Sequence, residues 1–182
     1  MQPIQTLHGI AAPLFEDDID TDQLCPKQYL TRLERHGYQD ALFCDRRRAE
    51  GEALDPQFVL NQDAWREASI LLTGDNFGCG SSREHAVWAL VDYGIRCVIA
   101  PSFGDIFFQN CVNGGLLAIK LAREQVSYLV RRAQQLPGAP WIVDLHNQSI
   151  VPPCGEPVPF QVDPITRMRL LQGLDEIGMT LR

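Results

Sequence analysis

The sequence predicts one mixed α/β domain built around a short parallel sheet, and three observations predict it. Short apolar runs, ASILLTG, RCVIAP and LLAIKL, succeed one another from Ala68. Two helical segments lie between them, SREHAVWALVDYG and SFGDIFFQNCVNGG, and each ends near glycine, the usual helix stop. That alternation implies parallel strands joined by right-handed crossovers and apolar on both faces. Finally, 182 residues without an internal repeat or a long linker fit a single domain spanning 1–182.

The other elements follow in chain order. IQTLHGIAAPLF alternates roughly and predicts a first strand, and the acidic EDDIDTDQLCP that follows is rich in turn formers. KQYLTRLERHGYQDALF reads as helical, with Tyr29, Leu33 and Tyr38 near one face. CDRRRAEGEALDPQ reads as a solvated connection, and its arginine run is the alternative candidate for docking an acidic partner. Past the central unit, REQVSYLVRRAQQL is an amphipathic helix stopped by Pro137 and Gly138. WIVDLHNQSIVP reads as a hairpin turning near HNQ, and DPITRMRLLQG as a last helix with Pro164 in its first turn.

Composition narrows the function classes. Net charge is −7, which argues against nucleic acid or an anionic membrane surface as the main partner. No apolar run approaches the roughly 20 residues of a membrane helix, and the first residues lack the pattern of a signal peptide. The six cysteines show no C-x-x-C pair and no zinc spacing, so the chain reads as cytoplasmic with free thiols.

The chemistry concentrates in GDNFGCGSSREHA, residues 74–86. A Walker loop requires a lysine that is missing here. A dinucleotide turn requires a third glycine where Arg83 stands, and G-x-S-x-G is absent as well. Cys79 alone cannot hold an iron–sulfur cluster. What remains is a buried strand entering a glycine-rich turn, with a helix starting near Ser81 or Ser82. Such a helix start favours an anion, and Arg83 adds a planar fork for a carboxylate. The competing reading is structural: Ser81-Ser82-Arg83-Glu84 matches a capping box, in which Ser81 caps the helix and Glu84 reaches back. His85 reads as a packed histidine.

GDNFGCGSSREHA, followed by WALVDYGIRCVIAPSFGDIFFQN, resembles the aconitase superfamily, and specifically its 3-isopropylmalate dehydratase small subunits. DIDTDQLCPKQYL, FVLN at 58–61 and GLDEIGMTL extend the resemblance over almost the whole chain. It implies a single swivelling β/β/α domain like the fourth domain of aconitase, closing on a separate large subunit that carries a [4Fe-4S] cluster. No metal or cofactor is expected on this chain itself. It implies Ser81 as the catalytic base, acting as an alkoxide, with Ser82, Arg83, Asp22 and Arg32 binding a small dicarboxylate substrate. The implied reaction converts 2-isopropylmalate to 3-isopropylmalate by loss and readdition of water. Related hydro-lyases acting on homoaconitate, citraconate or dimethylmalate share that chemistry, whereas a non-catalytic RNA-binding role sits poorly with the acidic charge.

Overall fold

The structure, a computed structural model, describes residues 1–48 and 53–180. Its strands are β1 (Thr6–Leu14), β2 (Ile70–Thr73), β3 (Cys97–Ala100), β4 (Leu117–Lys120), β5 (Pro140–Asp144), β6 (Ser149–Val151) and β7 (Val158–Pro159). Its α-helices are α1 (Thr21–Leu24), α2 (Cys44–Arg47), α3 (Glu84–Tyr93), α4 (Asp105–Asn113), α5 (Arg123–Gln135), α6 (Pro164–Gln172) and α7 (Glu176–Thr180). The strands lie in the order β4-β3-β2-β1-β5-β6-β7.

The long strand β1 belongs to both halves of the sheet. Ala11 to Leu14 pair in parallel with Ile70 to Thr73 of β2, and β3 and β4 continue that parallel set. Thr6 to Ile10 instead pair antiparallel with β5, which leads into β6 and β7. The three strands expected from the apolar runs are therefore present and parallel, each preceded or followed by the expected helix.

Their side chains divide between two cores. Leu71 and Val98 face one cluster with Ala86, Leu90 and Phe107 of the α3 and α4 layer. Ile70, Leu72, Cys97, Ile99, Leu117 and Ile119 face the other, where Leu129 of α5 and Trp141, Val143 and Ile150 of the antiparallel strands cover them. This is a helix layer on a parallel sheet on a curled antiparallel sheet, the β/β/α arrangement the resemblance implies. The hairpin turns at 145–148 as expected, with Asp144 accepting from the backbone N–H of Asn147 at 2.9 Å. Helix α6 starts at Pro164 under an Asp163 cap that accepts from the Thr166 N–H.

Two expectations need correction. KQYLTRLERHGYQDALF is not a helix: it holds a 3-10 turn at Lys27–Tyr29 and otherwise turns and loops. Leu33 is 99% exposed while Tyr38 is fully buried, so no common apolar face exists. Contacts to α3 override the local periodicity. The Tyr38 N–H donates to the Asp92 carboxylate at 3.0 Å, and its ring packs against His85 and Trp88.

The solvated connection holds at Arg48 and most of 53–57, which are exposed, but not at Arg46 and Arg47. Arg46 makes a paired contact with the Glu16 carboxylate at 2.7 and 3.0 Å and lies over the rings of Phe43 and Phe58. Arg47 donates to the carbonyls of Gln39 and Leu42 and lies over Tyr93. Both side chains fasten the 39–47 segment to the domain. Residues 49–52 of that predicted connection lie outside the described residues.

Candidate active site

The loops after β1, β2 and β3 emerge at the carboxyl ends of parallel strands, where open α/β sheets place their ligands. The turn after β2 is anchored by Phe77, fully buried and edge-on to Phe103 and Phe107. Burying one phenylalanine contributes about 2–3 kcal/mol, enough to fix where the turn begins. Gly78 follows with φ +78°, and the Gly78 N–H donates to the Ile19 carbonyl at 2.7 Å. A methyl group at Gly78 would strike the Phe107 ring at 2.2 Å, so glycine lets the turn pass tightly over α4.

From Gly78 the chain runs along the start of α1. The Thr21 N–H donates to the Cys79 carbonyl at 2.9 Å, and the buried Thr21 hydroxyl donates to the Ser81 carbonyl at 2.8 Å. Asp20 caps α1 by accepting from the Gln23 N–H. Sequence reasoning passed over Thr21 and Asp20. The signal was D-T-D-Q itself, an aspartate placed three residues before the amide it caps.

Those bonds also overturn the capping box. Helix α3 starts at Glu84, its N-cap is Arg83, and no side chain caps it. Residues 79–81 are instead pinned by their backbone beside 20–21, through Thr21. Ser81 and Ser82 are both exposed, and neither caps. The first-turn amides of α3 thus keep their affinity for an anion.

Arg83 is the fixed point of the site. Its side chain is only 11% exposed, and one guanidinium nitrogen donates to the Asp22 carboxylate at 3.1 Å and to the Cys25 carbonyl at 3.2 Å. The structure therefore brings Asp22, Ser81, Ser82 and Arg83 into one neighbourhood from segments some 60 positions apart in the chain. Arg32 is held differently. It donates to the Gly37 carbonyl at 2.7 Å and lies over Tyr29 and Tyr38 at 5.1 and 5.8 Å, with no bond to that group. Both arginines nevertheless act on the Cys25 thiol, which burial pushes up to about 11 while Arg83 and then Arg32 oppose the rise. His85 is packed as expected, against Trp88 at 4.6 Å and Tyr38 at 5.7 Å, and burial lowers its affinity for a proton.

Asp22, Ser81 and Ser82 are all exposed to solvent. A cleft of about 550 Å³ lies elsewhere, between α4, β4 and α6, and is lined by residues such as Phe108, Lys120 and Arg169. Among the described residues no group of three or more His, Cys, Asp or Glu side chains could hold a metal ion, and the Cys25, Cys97 and Cys111 thiols are buried. No described helix is long and apolar enough to cross a membrane.

Comparison with known proteins agrees with the fold. Residues 1–124 match the Aconitase C-terminal domain family. The chain is 52% identical over 182 residues to a 3-isopropylmalate dehydratase small subunit of Rhodospirillum centenum, covering 100% of this chain and 90% of that one. It is 51% identical to the protein so named in Gluconobacter oxydans, covering 100% and 87%. The crystal structure of 3-isopropylmalate dehydratase (leuD) from Methanocaldococcus jannaschii superposes with a TM-score of 0.70 at 26% identity, covering 97% of this chain and 94% of that one. With half its residues shared along its full length, the chain belongs to the 3-isopropylmalate dehydratase small-subunit family, within the aconitase superfamily.

Proposed function

We propose that this chain is the small subunit of a cytoplasmic hydro-lyase that isomerises 2-isopropylmalate to 3-isopropylmalate in leucine biosynthesis. It acts as one swivelling domain, residues 1–182, closing on a large subunit that carries the [4Fe-4S] cluster. The observation that carries this reading is the Arg83–Asp22 ion pair at 3.1 Å beside two exposed serines, which joins the two motif segments at the carboxyl end of the sheet.

The roles follow from the chemistry. Ser81 removes the proton on the carbon next to a substrate carboxylate. A serine hydroxyl is a poor base at neutral pH, so its alkoxide needs a positive surrounding. Arg83 and the uncapped start of α3 supply that surrounding. Arg83 also holds a substrate carboxylate, and Asp22 keeps its fork from rotating away. Ser82 and the turn amides complete the anion cradle, and Arg32 reaches the substrate from the 26–35 loop. Because Asp22, Ser81 and Ser82 are exposed, water is excluded only when the partner covers them.

Reconstitution with an iron–sulfur large subunit tests the reading. The complex is expected to turn over 2-isopropylmalate in preference to homoaconitate, citraconate or dimethylmalate. Turnover by this chain alone, or preference for another acid, would contradict it.

A further inference from the structure

We infer that Arg123, remote from the serine turn in sequence, is a positioning residue that sets the register of the two loops forming the active face. It stands at the first position of α5, just after β4. Its guanidinium donates to the Asp17 carboxylate at 2.8 Å and also to the Asp75 carboxylate. Asp17 belongs to the loop that leads into α1 and Asp22. Asp75 opens the turn that leads to Ser81 and Arg83. One cation therefore ties together the two segments whose alignment the proposed chemistry requires, and the inference rests on that function.

The surroundings are built for a fixed register. The Asp75 N–H donates to the Asp17 carboxylate at 2.8 Å, the Asp18 N–H to the Asp75 carbonyl at 2.9 Å, and the Asn76 side-chain amide to Asp18 at 2.9 Å. The Gly74 N–H donates to the Glu16 carbonyl at 3.0 Å, and a methyl group there would meet that oxygen at 2.5 Å, so the loops approach as closely as backbone allows. The loop after β3 joins through Ser102, whose hydroxyl accepts from the Asn76 N–H at 2.8 Å and donates to Asp75 at 3.3 Å. Arg123 also lies over the Phe15 ring at 4.8 Å, which limits its own swing. Loops after all four parallel strands thus join in one hydrogen-bonded network around this guanidinium.

Exposure separates positioning from stability. The Arg123, Asp17 and Asp75 side chains are 43–47% exposed, and ion pairs that wet contribute little to folding. Losing them should leave the domain folded but let the two loops slide, and catalysis falls steeply with small misplacements of the reacting groups.

The test uses Arg123→Met and Arg123→Lys in the reconstituted complex, with hydrogen exchange of the small subunit alongside. For Arg123→Met, kcat is expected to fall roughly tenfold to a hundredfold with a much smaller change in KM, and Lys to restore part of it. The melting curve should stay close to wild type, while the amides of Asp18, Thr21 and Asp75 exchange faster and those of β2 and α3 do not. On an Asp17→Asn/Asp75→Asn background, adding Arg123→Met should cause no further loss of kcat. Unchanged exchange at those three amides overturns the inference, whatever the substrate. So does wild-type kcat in Arg123→Met, or an undiminished loss on the double-mutant background. A wild-type complex inert toward 2-isopropylmalate contradicts the proposed function instead, and with it the catalytic half of this inference.

Discussion

Replacing Gly78 by alanine puts a number on how tightly the turn is built. The residue sits at φ +78°, where a side chain costs about 1–2 kcal/mol. The added methyl would also lie 2.2 Å from Cγ of Phe107, on a ring itself packed against Phe77 and Phe103, so relief requires the ring and α4 to shift. Overpacking of that kind costs a further 1–3 kcal/mol or so. The sum is about 2–5 kcal/mol, a large part of the roughly 5–15 kcal/mol typical of a folded domain. Gly94→Ala is the control. That glycine has φ +118° with nothing within 4 Å of the added atom, so only the conformational cost applies. Urea unfolding followed by circular dichroism should therefore place Gly78→Ala well below Gly94→Ala, with the same m-value. Equal midpoints for the two variants would refute the packing argument for the turn.

Two further outcomes follow from the charges and thiols. The Asp17 carboxyl is held below its usual 3.8 by the Arg123 hydrogen bond and then by the Asp75 N–H, so it contributes stability above about pH 4 that is lost as pH falls through the lower folded value. The difference between the urea midpoints of wild type and Asp17→Asn, small at neutral pH because the pair is half exposed, should shrink as pH falls below about 4, and a constant difference there would contradict the assignment. Native thiol titration at pH 8 should reach Cys154 first, and Cys25, Cys97 and Cys111 only after unfolding, since burial raises all three thiols and Cys25 to about 11.

How much of this was legible in the sequence depends on where the deciding contacts lie. The parallel unit was readable because Ile70, Val98 and Leu117 sit in runs apolar on both faces, and Gly94 and Gly173 mark helix ends. The 27–43 segment was not. Its periodicity suits a helix, but Tyr38 is claimed by Asp92, His85 and Trp88, residues about fifty positions away. The serine turn failed as a capping box for the same reason. A hydroxyl at Thr21, sixty positions upstream, holds the Ser81 carbonyl and decides where α3 can begin. Arg83 was readable as a carboxylate fork at the helix start, Asp22 came only from family resemblance, and a 3.1 Å contact brings the two together. Arg123 was invisible in sequence, because nothing in REQVSYLVRRAQQL signals that its first residue bridges two distant loops.

The central claim is that Ser81 is the reacting base of an active face completed by a partner. Its most direct test compares Ser81→Ala and Ser82→Ala in the reconstituted complex with 2-isopropylmalate, each checked for an unchanged melting curve. Since both hydroxyls are exposed and neither caps α3, neither variant should lose appreciable stability. The account predicts that Ser81→Ala abolishes turnover while Ser82→Ala leaves a measurable rate with weakened substrate binding. Near-normal turnover in Ser81→Ala would contradict it.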